Sequence, residues 1–199
     1  MWIELRGLIG CGKTTFVENA GRLGFEMSFE SVAHNPYLPQ FYAGDNSVVY
    51  PMEVWLALER EREACKMATK EGDRICDRTP EEDLCFAQLL LDEGRLTPEE
   101  HRSYLDVFHR LFDGKSTPDV IIHLDVTPET SLERIRARGR ESEQQLSDEE
   151  WLGYLTRLKA AYDEQVLGDN VLVVPWDEIG DVTEILERAR EMHTRLGDG

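Results

Sequence analysis

The stretch Gly7-Leu8-Ile9-Gly10-Cys11-Gly12-Lys13-Thr14 decides how this chain is read. It satisfies the pattern GxxxxGK[ST], directly after a strand-like run, Trp2 to Arg6, and ahead of a helical segment. The glycines let backbone N–H groups turn towards phosphate oxygens, and the N-terminus of the helix that follows adds positive potential. Lys13 neutralises charge on the β- and γ-phosphates, and the Thr14 hydroxyl can ligate Mg²⁺. ATP or a related triphosphate is the implied ligand, cradled by Gly7, Gly10, Cys11, Gly12, Lys13, Thr14 and Thr15. Cys11, inside the loop, reads as a small filler.

Outward from the loop, strand-like segments recur at Glu26 to Glu30, Arg74 to Asp77, Val120 to Leu124 and Val171 to Pro175, with helical stretches between them. That alternation predicts an α/β fold, a parallel sheet wrapped by helices. Apolar residues at helical spacing predict long amphipathic helices over Val48 to Lys70, Pro98 to Phe112 and Asp148 to Leu167. Thr97-Pro98 and Thr127-Pro128 each read as an N-cap followed by proline in the first turn. No repeat, low-complexity tract or linker divides the chain, so 1–199 is expected to be a single domain.

A formal charge of −18 argues against a nucleic-acid partner, since phosphate backbones are held by clustered Lys and Arg. A small phosphorylated ligand needs only a few local cations. Cys11, Cys65, Cys76 and Cys85 form neither a CxxC pair nor a disulfide ladder, and no signal peptide is apparent, which places the expected location in the cytoplasm. No apolar run approaches the roughly 18 residues of a membrane span.

Triphosphate binding alone leaves a kinase, a GTPase switch and a motor ATPase open. Three clusters bear on the choice. Glu30 ends the second strand, where an open α/β sheet faces its ligand crevice, and a carboxylate there can take a proton from an attacking hydroxyl. Asp77-Arg78-Thr79 ends the third strand and offers a carboxylate for Mg²⁺ and a guanidinium for an oxygen near the transferring phosphate. The run Glu133 to Glu141 concentrates Arg134, Arg136, Arg138 and Arg140 in an acidic protein. Arg134 and Arg138 share a helix face, as do Arg136 and Arg140 if the helix continues through Gly139. A solvated helix paired with glutamates is one reading. A lid over the γ-phosphate accounts better for the local reversal of charge, with Arg134 and Arg136 on ATP and Arg138 and Arg140 on the moving group.

Taken in order, these residues resemble the deoxyribonucleoside kinase family, in particular its short bacterial deoxyadenosine/deoxyguanosine kinase members. The resemblance runs over nearly the whole chain, from the phosphate loop through Glu30, Asn35-Pro36-Tyr37-Leu38, Phe41-Tyr42, Asp77-Arg78-Thr79 and Leu132-Glu133-Arg134-Ile135 to Arg138-Gly139-Arg140. It implies a P-loop nucleoside triphosphate hydrolase-like fold of about five parallel strands, a helical substrate roof, an arginine-rich lid and a homodimer. It makes Glu30 the general base, sets Arg78 on the 5′-hydroxyl and incoming phosphate, and gives Asp77 a part in positioning Mg²⁺. Tyr42 and Glu143 match positions that hold the sugar 3′-hydroxyl. Arg60 matches an arginine near the base, and Asp83 its acidic partner.

One departure bears on substrate. Where the family commonly reads the base with glutamine, Pro51-Met52-Glu53-Val54-Trp55 presents Glu53, which is acceptor-only when ionised. Ser31 and Thr79-Pro80 also stand where the pattern is commonly proline and serine-isoleucine. Phe29, Tyr37, Trp55 and Phe86 are candidates to sandwich a planar base. The function expected is transfer of the ATP γ-phosphate to a nucleoside 5′-hydroxyl, purine before pyrimidine and deoxyguanosine first. A related kinase acting on a nucleotide or nucleoside-like metabolite, and a non-catalytic ATP-binding regulator, stay open at this point.

Overall fold

The computed structural model describes residues 1–29, 34–140, 143–144, 146–165 and 168–197. In chain order its elements are β1 (Trp2–Arg6), α1 (Lys13–Arg22), β2 (Glu26–Ser28), α2 (Leu38–Tyr42), a 3-10 turn (Asn46–Val48), α3 (Val49–Ala68), β3 (Arg74–Cys76), α4 (Glu82–Asp92), α5 (Pro98–Phe112), β4 (Val120–Asp125), α6 (Pro128–Arg138), α7 (Asp148–Glu164), β5 (Val171–Pro175) and α8 (Val182–Gly197). Their contacts form two compact units. The first is Met1–Phe29, Lys70–Thr79 and Pro118–Gly199, and the second is Glu30–Thr69 and Pro80–Thr117.

Unit one is built on a five-stranded sheet of order β2-β3-β1-β4-β5, every pair parallel. All five residues of β1 are buried, as a central parallel strand requires, because helices cover both faces of such a sheet. Ile3 aligns with Ile75 and Val120, and Leu5 with Ile122. These five side chains are fully buried and form a layer of branched carbon, each contributing roughly 1.5–3 kcal/mol. On the other face Arg6 is also buried: it donates to the Tyr162 carbonyl at 2.8 Å and stacks its guanidinium 4.8 Å from that ring's centroid. Helix α1 packs on β2 and β3, α8 on α1, β4 and β5, and α6 on α7.

Unit two is helical. Val49 and Ala57 of α3, Ala87 and Leu90 of α4, Leu96, and Tyr104 and Phe108 of α5 make its core. Among the described residues no helix is long and apolar enough to cross a membrane.

All five expected strands form, with shifted ends. β2 stops at Ser28, and Glu30 lies outside the described residues; β3 stops at Cys76, and Asp77 continues its line through an N–H bond to the Ser28 carbonyl at 3.0 Å. α7 ends at Glu164 rather than at Leu167. Thr97 and Thr127 are both N-caps with proline in the first turn. At Thr97 the cap is reciprocal, its hydroxyl accepting from the Glu100 N–H at 3.2 Å while the Glu100 carboxylate accepts from the Thr97 N–H at 2.9 Å. Thr97→Ala is expected to lower unfolding free energy by about 1 kcal/mol. Urea titration checks this, and an unmoved midpoint would show that the cap contributes nothing.

Candidate active site

The loop between β1 and α1 is shaped by what it must leave open. Gly12 caps α1 without a side-chain hydrogen bond, and no acidic residue occupies the helix's first turn, so the N-terminal N–H groups face no capping carboxylate or hydroxyl. Gly10 has φ +84°, and a Cβ there would lie 2.7 Å from the Ser131 carbonyl oxygen and 2.7 Å from Ile135 Cγ1. Only glycine lets the loop run this close to α6. Lys13 is buried and curls back, its ammonium donating to the Gly7 carbonyl at 2.5 Å and the Leu8 carbonyl at 3.2 Å.

Thr14, in the first turn of α1, donates its hydroxyl to the Asp77 carboxylate at 2.7 Å. Two hard oxygens 63 residues apart in the sequence thus meet next to Lys13. They fit Mg²⁺, which takes one or two protein oxygens and completes its shell with phosphate and water. Among the described residues no cluster of three or more His, Cys, Asp or Glu side chains offers an all-protein metal cage. Arg78 follows Asp77 and is half-buried, and Thr79 is buried.

Helix α6 braces the loop from behind. The Ser131 hydroxyl donates to the Ile9 carbonyl. Arg134 spreads its guanidinium over three carbonyls, those of Cys11, Trp176 and Asp177, each at 2.8 Å. Asp177 in turn accepts from the N–H and hydroxyl of Thr127 at the start of α6, both at 2.8 Å. Its carboxyl pKa is lowered, first by the Thr127 N–H and then by the hydroxyls of Thr130 and Thr127. The Trp176 ring stands 5.7 Å from Phe16 of α1. Arg134 therefore holds loop backbone, a role that its spacing in the arginine run did not reveal. Ser131 carried no signal in the sequence at all.

The rest of the arginine run differs from a continuous helical stripe. α6 ends at Arg138, and Gly139 takes a left-handed φ of +67° as its C-cap, so Arg136 and Arg140 do not share a helix face. Arg138 forks onto Glu143 with bonds of 2.8 and 2.6 Å, and Arg140 lies 3.7 Å from the same carboxylate. Arg136 donates to Asp148 at 2.8 Å and to the carbonyls of Glu143 and Leu146. Glu143 is buried, and its carbonyl also accepts from the Trp151 indole at 3.0 Å.

In unit two, α3 places Val49, Glu53, Ala57 and Arg60 along one face, four, four and three residues apart. Glu53 is buried at 3% exposure, and Arg60 forms an ion pair with Asp83, itself 1% exposed in the first turn of α4. Arg60 and Asp83 are thus brought together as the family resemblance implied. The Tyr104 hydroxyl of α5 is pushed to a raised pKa, first by burial and then by the charges of Asp83 and Glu53, with Arg60 opposing. Tyr42 is exposed at the end of α2 with Phe41 edge-on at 5.6 Å, and the Arg95 guanidinium covers Phe41 at 4.1 Å. Tyr37, Trp55 and Phe86 are half-buried in this unit, while Phe29 belongs to unit one and is exposed.

Strand order β2-β3-β1-β4-β5, a GxxxxGK[ST] loop leaving the central strand, and a β3 carboxylate meeting the loop threonine define the class: a P-loop phosphotransferase. The model of the deoxynucleoside kinase family matches residues 3–192, and the chain belongs to that family. A deoxyadenosine kinase of Dictyostelium discoideum is 34% identical over 190 residues, covering 93% of this chain and 76% of the relative. A deoxyguanosine kinase of Lactobacillus johnsonii is 35% identical over 166 residues, 80% of this chain and 74% of the relative. The solved structure of deoxyadenosine kinase from M. mycoides with bound dATP superposes with a TM-score of 0.79 at 27% identity, covering 96% of this chain and 98% of that one.

Arg134→Ala removes three charge-assisted bonds to carbonyls and unfastens the loop. It is expected to raise the Kd for ATP by roughly 10-fold and to lower stability by about 2 kcal/mol. Calorimetric titration and thermal melts check both, and unchanged ATP affinity would show that the brace does not shape the loop.

Proposed function

We propose that the chain transfers the γ-phosphate of ATP to the 5′-hydroxyl of a deoxyribonucleoside, purines before pyrimidines and deoxyguanosine first. One observation carries the reaction type: Lys13, the Thr14 hydroxyl and the Asp77 carboxylate converge at the N-terminus of α1, where a triphosphate would be gripped. Thr14 and Asp77 would hold Mg²⁺, which when bound neutralises charge between phosphate oxygens. Lys13 exchanges its loop carbonyls for phosphate oxygens. Glu30 accepts the proton of the attacking hydroxyl, and Arg78 orients that hydroxyl and the incoming phosphate. Arg138 and Arg140 act as lid cations on the charge that develops during transfer, with Arg134 and Arg136 on the ATP side. Tyr42 and Glu143 take the sugar 3′-hydroxyl. We read residues 1–199 as one kinase domain acting as a homodimer in a reducing compartment, in keeping with the absence of any disulfide among the four cysteines.

The base preference rests on matching donors to acceptors. Guanine presents N1–H and N2–H₂ as adjacent donors, which an ionised Glu53 can accept together, while its O6 and N7 suit Arg60. Adenine sets one donor beside an acceptor and meets Glu53 poorly; a wrongly paired buried polar group costs about 1–3 kcal/mol. Asp83 keeps Arg60 in place. The named relatives include both deoxyadenosine and deoxyguanosine kinases, so this chemistry alone supports the choice of base.

Transfer of labelled phosphate from ATP to a panel of nucleosides tests the reaction, and no transfer to any nucleoside would overturn it. Deoxyguanosine is expected to exceed deoxyadenosine in kcat/KM, and Glu53→Gln to narrow or reverse the gap. A wild-type preference for deoxyadenosine or a pyrimidine in direct competition sinks the base assignment and leaves the kinase standing. Glu30→Gln should keep ATP binding yet lower turnover by roughly 10² to 10⁴, the usual worth of a positioned base. Near-normal turnover in that variant removes Glu30 from the reaction.

A further inference from the structure

Three helices of unit two meet on charge where a helical core would ordinarily present carbon. α3, α4 and α5 pack on one another, α3 bringing Glu53 and Arg60, α4 bringing Asp83, and α5 bringing Tyr104. Exposure falls inward along this set, from 11% for the Arg60 side chain through 3% for Glu53 and 1% for Asp83 to 0% for Tyr104. Tyr104 is embedded with Val49, Ala57, Ala87 and Phe108, its ring 6.4 Å from that of Phe108. Phenylalanine would fill the same space. The oxygen that distinguishes tyrosine has no hydrogen-bond partner among the described residues.

Burying a hydroxyl without a partner is destabilising, so a donor kept here calls for an acceptor that reaches it in some state of the pocket. The charged groups that bear on it are Asp83 from α4 and Glu53 and Arg60 from α3. Glu82 is buried beside Asp83, and His101, one turn earlier on α5, has its pKa lowered by burial, with Asp92 opposing. Burial, and after it the charges of Asp83 and Glu53, push the phenol's pKa up, which favours the protonated form that can donate. At 0% exposure the Tyr104 side chain is closed to solvent.

We propose that Tyr104 is a positioning residue for the nucleobase, its hydroxyl being the donor to which Asp83 turns when Arg60 is drawn onto the base. This rests on the reading that Glu53, Arg60 and Asp83 meet the base. A purine offering O6 or N7 draws on the guanidinium that otherwise forms an ion pair with Asp83. The carboxylate then gives up part of that pairing, and the Tyr104 O–H offers it a hydrogen bond. No proton changes hands; part of an ion pair is exchanged for a hydrogen bond. With phenylalanine at 104, Arg60 stays committed to Asp83 and the base must compete for it.

The test is steady-state kinetics of Tyr104→Phe in the full chain, with deoxyguanosine, deoxyadenosine and ATP each varied. KM for the purine nucleosides should rise by about 10-fold, while kcat and the KM for ATP stay within about 2-fold, because the lost bond serves binding of the base alone. In an Asp83→Asn background the same change should add less than about 2-fold, the signature of two groups that act through each other. Arg60→Lys provides a second background should Asp83→Asn not fold. An unchanged nucleoside KM, a full 10-fold effect persisting in both backgrounds, or a loss spread equally over kcat and ATP overturns the role of Tyr104. If Glu53→Gln and Asp83→Asn both leave base discrimination untouched, the base-reading assignment itself fails and this proposal with it. If they shift discrimination while Tyr104→Phe is silent, only the Tyr104 assignment falls.

Discussion

A phosphate loop must turn its N–H groups towards an anion, and so must fasten itself by its carbonyls. Here the carbonyls of Gly7 and Leu8 are held by Lys13, that of Ile9 by Ser131, and that of Cys11 by Arg134. Each anchor comes from a helix, and two of the four bonds come from α6, which is itself pinned at its N-cap by Asp177. The loop's shape is therefore a property of unit one as a whole. β1 supplies a rigid exit, buried on both faces, and α6 supplies Ser131 and Arg134 as donors, with the Arg134 guanidinium held in place by the carbonyls of the segment after β5.

Charge is organised locally against a net of −18. Arg136, Arg138 and Arg140 are paired with Asp148 and Glu143. The pairs are unequal: Glu143 is buried and bidentate with Arg138, whereas Asp148 is exposed and worth little. An acidic partner for each of these three arginines keeps a cationic segment compatible with an acidic protein.

Most of the fold was legible in the sequence because its signals are local. Strand runs, the GxxxxGK[ST] spacing and the Thr-Pro caps depend on near neighbours, and each appears where it was expected. The meeting of Thr14 with Asp77 was legible too, since strand ends in a parallel sheet share one edge. What was not legible depends on long-range geometry. Arg134 looked like one cation among four, and its use as a brace appears only once β5 brings Trp176 and Asp177 alongside. Tyr104, four residues before Phe108, has the spacing of an ordinary apolar stripe, and only the helix packing brings it into one core with Val49, Ala57 and Ala87, each about one turn from Glu53 or Asp83. Gly139 could be read as interior or terminal until its backbone angle was known.

Unit two is not contiguous: residues 30–69 and 80–117 enter it separately, with β3 between them. During synthesis the α3 face that carries Glu53 and Arg60 is therefore complete well before α4 and α5 have been made. Until then a buried-type arginine and glutamate stand on a helix that has nothing to cover its apolar side. The Arg60–Asp83 pair spans that gap in the chain, so closing it reports that both insertions have come together. A truncation ending anywhere before α5 strips the helical unit of Tyr104 and Phe108, and no piece that stops short of Phe108 holds the whole of its core.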